Sequence, residues 1–206
     1  MLCVFTDEQV REICLDSALV PTMPSGAALV VHTTTSPTTI DTIAARANDI
    51  QVIDAALSGG PHDIAAGAVT LFVGGAGAAV TRVRPLLGCY GDPILHVGPR
   101  GAGQKVKLVN NAVFAGHIGL LADAIRLGER LGVPQSTLLA ALPHGSAASR
   151  VLSLVTAGGC LASFIEVAGE FVSKDVAVVR SITEELGVNL GALNDVINAI
   201  DVAKRL

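Results

Sequence analysis

The chain of 206 residues has no tryptophan, one tyrosine and five phenylalanines. No basic run is interleaved with aromatics, and the formal net charge is -4. Nucleic acid is therefore not an expected partner, since phosphates call for clustered Lys and Arg and unstacked bases call for aromatic platforms. Charged residues are also scarce, at 16% of the chain against roughly a quarter in an average globular protein. That scarcity implies an unusually large buried surface, either as core or as subunit interface. No apolar run of membrane-spanning length is free of several glycines, a histidine or a charge, so no membrane partner is expected. No basic region precedes the apolar residues 1–5, which argues against a signal peptide. Cys3, Cys14, Cys89 and Cys160 have no metal-ligand spacing and read as reduced, buried thiols of a cytoplasmic protein. The histidines offer no pair on one helix face, so no metal is expected. His144 and Ser146 flank a glycine but form no Gly-x-Ser-x-Gly elbow, which excludes the usual serine hydrolase arrangement. A Gly-x-Gly-x-x-Gly turn is missing too. Gly74-Gly75-Ala76-Gly77 has the wrong spacing and reads as a tight strand-to-helix turn.

Short apolar runs alternate with helical patterns over the first hundred residues. Strands are expected at 2–5, 29–33, 52–55, 69–73 and 94–97, and helices at 7–19, 36–48 and 76–87. Ser36-Pro37 reads as an N-cap followed by proline at the first helical position. Such alternation implies a mostly parallel sheet covered by helices. Beyond Gly103 the pattern changes. Residues 107–131 contain no proline and are apolar around most of the helix circumference, which predicts a helix buried nearly all round. Gly132 and Pro134 end it. Further helices are expected at 135–142, at 147–155, in a stretch ending near Leu186, and at 191–204. The domain boundary is placed near Gly101, between an α/β part over 1–100 and an all-α part over 101–206.

Several groups in this layout could carry chemistry. Lys107 and Asn111 are four residues apart and share one helix face, with Asn110 at its border. A lysine at the start of so apolar a helix is either solvated or set in a cleft. In a cleft, desolvation would lower its pKa and make it a usable proton acceptor. Lys105 should point elsewhere, as a surface charge. Ser58-Gly59-Gly60 directly follows a strand. It reads either as an ordinary turn or as a nest of N–H groups and one hydroxyl suited to a carboxylate. Thr33-Thr34-Thr35-Ser36-Pro37 ends another strand, where α/β sheets bind ligands, and it also reads as a capping cluster. Lys174-Asp175, inside a helical pattern, is an exposed pair or a functional one. His62 lies near the Ser-Gly-Gly turn.

Order and spacing join these signals. Asp54-x-x-x-Ser58-Gly59-Gly60 is followed by Ala65-x-Gly67-x-x-Thr70 and Gly74-Gly75. Then come Gly98-Pro99-x-Gly101-x-Gly103-x-x-x-Lys107-x-x-Asn110-Asn111 and Lys174-Asp175. The series resembles the β-hydroxyacid dehydrogenase family over essentially the whole chain, and among its members the 3-hydroxyisobutyrate dehydrogenases. The resemblance implies a partial Rossmann-like sheet lacking its first strands, followed by an all-α C-terminal domain. It implies NAD or NADP as cofactor and a small 3-hydroxy acid as substrate. Lys107 would be the catalytic lysine. Ser58, Gly59 and Gly60 would hold the substrate carboxylate, and Asn111 would bind near the substrate hydroxyl and orient Lys107. Thr34 would line the cofactor, and Lys174 would approach its nicotinamide end with Asp175 in support. The helical part would pair two copies into a homodimer or higher homo-oligomer.

The chain departs from the family pattern in several places. The leading βαβ unit with its glycine fingerprint and its cofactor-selecting residue is not in these residues, so an N-terminally truncated chain is expected. Ala56 and Leu57 stand where the family has Pro and Val, and Val167 stands where it often has an aromatic. Val4 and Phe5 match poorly the Leu-Pro that the family often has beside the adenosine. Three alternatives to a 3-hydroxyisobutyrate-like enzyme follow. One is an inactive remnant keeping the helical dimerisation module. Another is a tartronate semialdehyde or succinic semialdehyde type of reductase. The third is an imine-reducing relative, against which Lys107 counts.

Overall fold

Ser36 and Pro37 start a helix as their chemistry dictates. The Ser36 hydroxyl accepts the Thr38 N–H at 3.3 Å, and helix α3 runs over Pro37–Arg46. The computed structural model describes residues 1–203, with side-chain exposures to residue 200. Ahead of α3 come α1 (Asp7–Leu15), α2 (Leu19–Thr22) and β1 (Ala28–Val31). After it come β2 (Gln51–Ser58), α4 (Pro61–Ala65), β3 (Val69–Gly74), α5 (Gly77–Leu87) and β4 (Gly91–Gly98). Contacts divide the chain into two compact units, Met1–Leu108 and Val109–Leu206. The first carries a four-stranded sheet in the order β1-β2-β3-β4.

Alternation along the strands builds two cores, one on each face. Leu29, Val31 and Val52 join Val10, Ile40 and Ile43 on one side. Val30, Ile53 and Ala55 join Leu71, Val73, Val80 and Leu87 on the other. Period-two side-chain placement accounts for this division. β1 pairs with β2, and β3 with β4, in parallel, whereas β2 and β3 are antiparallel. The sheet is thus mostly parallel as expected, with an antiparallel pairing at its centre. A parallel return needs a crossover of a dozen or more residues, and only the short α4 segment joins β2 to β3.

Residues 2–5 do not form a full strand. Leu2 alone bridges Val31. The main chain of Val4 pairs with the Thr33 hydroxyl, which accepts its N–H at 2.8 Å and donates to its carbonyl at 2.9 Å. The helix expected over 7–19 breaks into α1 and α2, because Ser17 Oγ donates to the Ile13 carbonyl and accepts the Leu19 N–H. Of the four cysteines only Cys14 is buried. Cys3 and Cys89 are exposed and Cys160 is half-buried, all as free thiols.

The second unit is helical. It contains most of α6 (Ala102–Arg130), then α7 (Gln135–Ala141), a 3-10 turn (Leu142–His144), α8 (Arg150–Ala157), α9 (Leu161–Glu185) and α10 (Ala192–Ala203). Its core gathers Ile118, Leu121, Ile125, Leu139, Val155 and Ile197. The predicted end of the last helix, Lys204, lies outside the described residues. Helix α6 corrects one expectation, since it is not buried all round. Val109, Val113, Leu120 and Leu127 are exposed, and their spacings of four, seven and seven put them on one face. By length and composition α6 could cross a bilayer, yet 56% of the qualifying window is buried inside the protein. Soluble core helices share that property.

Candidate active site

The start of α6 is fixed from below by a buried carboxylate. Asp54, on β2, is fully buried. Its Oδ1 accepts the Gly101 N–H at 2.6 Å and its Oδ2 accepts the Gln104 N–H at 2.9 Å. These are orphan donors of a helix N-terminus, which a carboxylate satisfies well. Burial raises the Asp54 pKa from its ordinary value, and the backbone donors of Gly101 and Gln104 pull the other way. Two glycines make room for the carboxylate. A Cβ on Gly74 would meet Asp54 Oδ2 at 2.8 Å, and one on Gly103 would meet it at 2.7 Å and fall onto the Phe72 carbonyl oxygen. Gly74 is therefore a packing requirement of the helix seat, while Gly75 packs against Val80 and Ile53.

Gln104, also fully buried, extends the seat to β1. Its Oε1 accepts the Thr35 N–H at 3.0 Å and its Nε2 donates to the Thr33 carbonyl at 2.9 Å. These two bonds bracket Thr34, which is itself buried. Lys107 follows Gln104 by three residues and Asn111 by seven, so the three share one helix face. Lys107 is half-buried and Lys105 exposed. Asn111 is 6% exposed, and its Nδ2 has no hydrogen-bond partner among the described residues.

Ser58 is the last residue of β2, opposite Thr70 of β3. Gly59 has φ +152 and Gly60 caps α4. The nest reading needs a correction at Gly60. Its N–H already donates to Asp63 Oδ2 at 2.7 Å, and the same oxygen lies 3.1 Å from where a Gly59 Cβ would stand. The spacing of Gly60, Pro61 and Asp63 is a helix-start signature legible in the sequence, but the larger motif masked it. His62 is exposed on α4. In the second unit, Lys174 Nζ lies 3.5 Å from Asp175 Oδ1, with both side chains 24% exposed. This is neither a fully solvated pair nor a buried one. Val167, further back on α9, is 81% exposed. A cavity of about 480 Å³ between α9 and α10 is lined by Val176, Arg180, Glu184 and Ile197 among others. None of the predicted site residues lines it.

The sequence reasoning also passed over His32, which follows β1. His32 is 6% exposed. Its Nδ1 lies 2.6 Å from the Ala55 carbonyl and its Nε2 lies 2.8 Å from the Tyr90 hydroxyl. A carbonyl only accepts, so Nδ1 carries the proton and Nε2 accepts the Tyr90 O–H. Burial lowers the His32 pKa and pushes that of Tyr90 up to about 12. In the unfolded chain the imidazole takes a proton below about pH 6.5. The stabilisation from neutral His32 is therefore complete above that value and is lost as pH falls toward the depressed folded pKa. Urea titrations at about pH 7 and about pH 5 should show a lower midpoint at the lower pH, with a smaller drop in His32→Gln. Equal drops in both proteins would refute this assignment.

Among the described residues no cluster of three or more metal-type ligands occurs. Nicotinamide-binding residues are a better fit. Thr33, Thr34 and Thr35 lie past the C-terminal end of β1, the side where such sheets receive ligands. Thr35 Oγ1 is buried without a hydrogen-bond partner among the described residues. A buried hydroxyl without a partner at that edge of the sheet fits a polar ligand there. The glycine fingerprint for the pyrophosphate half is not in these residues.

Comparison with known proteins agrees with this layout. Residues 1–98 match a family model described as the NAD binding domain of 6-phosphogluconate dehydrogenase. Residues 101–205, just over half of the chain, match one described as NAD-binding of NADP-dependent 3-hydroxyisobutyrate dehydrogenase. An NAD-dependent L-serine dehydrogenase of Pseudomonas aeruginosa is 33% identical over 141 residues, 68% of this chain and 47% of that protein. A 3-hydroxyisobutyrate dehydrogenase of the same organism is 30% identical over 141 residues, again 68% of this chain and 47% of that protein. The chain spans about half the length of the curated relatives it matches. A solved 3-hydroxyisobutyrate dehydrogenase of Mycobacterium tuberculosis, with L-serine, superposes with a TM-score of 0.81. It covers 97% of this chain and 72% of that one at 23% identity, which shows the fold alone. Both matched models describe NAD-binding domains, so the cofactor is NAD or NADP. A mixed α/β unit seating a Gly-x-Gly-x-x-x-Lys-x-x-Asn-Asn helix, with both halves matched in order, places the chain in the β-hydroxyacid dehydrogenase family.

Proposed function

We propose that this chain belongs to an NAD(P)-dependent oxidoreductase acting on the CH–OH group of a small 3-hydroxy acid, with Lys107 as general acid and base. The observation that carries the reading is the seating of α6. Asp54 and Gln104 fix the helix start, and with it Lys107, to β2 and to the backbone on both sides of Thr34. β2 itself runs on into Ser58-Gly59-Gly60. The names of the relatives support a small hydroxy acid as substrate.

The bound nicotinamide supplies the hydride acceptor. Neutral Lys107 takes the hydroxyl proton at Nζ, and its ammonium form returns a proton to the carbonyl oxygen in the reverse direction. The Ser58 hydroxyl and the Gly59 backbone hold the substrate carboxylate. Asn111, one turn beyond Lys107 on the same helix, holds the substrate near its hydroxyl and orients Lys107, and Thr34 lines the cofactor. Mixing the protein with NAD or NADP and a series of small 3-hydroxy acids tests the reading through the absorbance of reduced nicotinamide. Absence of both turnover and cofactor binding at millimolar concentration would overturn the reading.

The exposed face of α6 formed by Val109, Val113, Leu120 and Leu127 supports a homodimer. An exposed apolar stripe of that length is unusual. Light scattering at micromolar concentration should give twice the chain mass, and a monomer there would overturn the assignment.

A further inference from the structure

We propose that Gln104 is a positioning residue that makes the cofactor-lining threonines and the catalytic lysine move as one piece. The inference rests on the roles given above to Thr34 and Lys107. Gln104 is fully buried, and both ends of its amide are used. Oε1 takes the Thr35 N–H at 3.0 Å, and Nε2 gives to the Thr33 carbonyl at 2.9 Å. The residue between these partners, Thr34, is held without being touched by either bond. On the helix side, the Gln104 N–H donates to Asp54 at 2.9 Å, so the amide side chain and the helix axis are fixed together. Lys107 stands one turn further along the same face. A shift of the Thr33–Thr35 backbone must therefore break a buried hydrogen bond or carry the first turn of α6 with it. A buried amide with an unpaired end is strongly disfavoured, so the second course prevails. Gln104 has a geometric role that filling space does not require, because an apolar side chain of similar volume would pack there without linking the two segments.

The test reads Lys107 directly and needs no turnover. Lysines of the intact chain are reductively methylated with a carbon-13 label, and the Lys107 resonance is assigned by its absence in Lys107→Arg. In Gln104→Met, which keeps volume and loses both bonds, the Lys107 resonance should move. Its titration midpoint should shift by about half a pH unit or more, while that of exposed Lys105 stays in place. Exchange of the Thr35 amide should quicken by at least about tenfold. A merely structural role would quicken Thr35 exchange and leave Lys107 unmoved, and that result overturns the proposal. Should Gln104→Met not fold, Gln104→Glu retains the acceptor for Thr35 and loses the donor to Thr33. It should shift Lys107 in the same comparison, and an unshifted Lys107 there is equally decisive. A Lys107 that responds to Gln104 in a chain without Lys107-dependent turnover leaves the clamp standing and removes the dehydrogenase reading. Lys107-dependent turnover with an unresponsive Lys107 does the opposite.

Discussion

Lys107→Ala should lower kcat by about 10²–10⁴-fold, the usual contribution of a positioned acid or base, and leave the Kd for NAD or NADP within about threefold. The reason lies in what the lysine does and does not touch. A group that moves a proton only in the transition state lowers kcat and kcat/KM together when removed, without a compensating change in ground-state binding. Lys107→Arg should fail almost as badly in the oxidation direction, since a guanidinium stays protonated in proteins and cannot accept the hydroxyl proton. Lys105→Ala, two residues away and exposed, should behave as wild type. Steady-state kinetics with an active 3-hydroxy acid checks all three. Turnover of Lys107→Ala within about tenfold of wild type, roughly 1.4 kcal/mol of barrier, would remove Lys107 from the mechanism.

The second large effect is on stability and concerns the helical unit. Gly119→Ala should destabilise the protein by about 3 kcal/mol. Gly119 lies inside α6 where α10 passes, and a Cβ there would fall onto the Val196 carbonyl oxygen and lie 3.4 Å from the Ala199 Cβ. Alanine gains up to about 1 kcal/mol of helix propensity over glycine. That gain loses to the clash, because backbone atoms of a packed helix cannot rotate away as side-chain atoms can. Gly116→Ala is the internal control. Its Cβ would meet only Val196 Cγ2 at 3.2 Å and Leu193 Cδ2 at 3.4 Å, both ends of movable side chains, so its net effect should stay within about 1 kcal/mol of zero. Urea unfolding followed by circular dichroism distinguishes the two. A Gly119→Ala protein as stable as wild type would show that α10 can move off α6 at no cost.

Much of this architecture was legible before any coordinates. The Ser36-Pro37 start and the Gly132 stop follow from local stereochemistry, and the structure keeps them. The antiparallel β2–β3 pairing was legible in principle, from a connection too short for a crossover. It was missed because alternating strand and helix patterns suggest parallel order by default. The α6 circumference misled for another reason. Hydropathy reports that a face avoids water, not what removes it from water, and Val109, Val113, Leu120 and Leu127 remain exposed among the described residues.

The candidate site divides along the same line. Lys107, Asn111, Ser58-Gly59-Gly60 and Thr34 stand out in the linear order because their spacing is a motif, and motif spacing is a one-dimensional quantity. The family, the two-part layout and the nicotinamide cofactor follow from it. Partnership in space is a different kind of information. That Asp54 seats the first turn of α6 between Gly74 and Gly103, and that Gln104 brackets Thr34 from 69 and 71 residues away, both depend on long-range closure. Only the folded chain brings such groups within hydrogen-bond reach, and only there does burial make each bond too costly to lose.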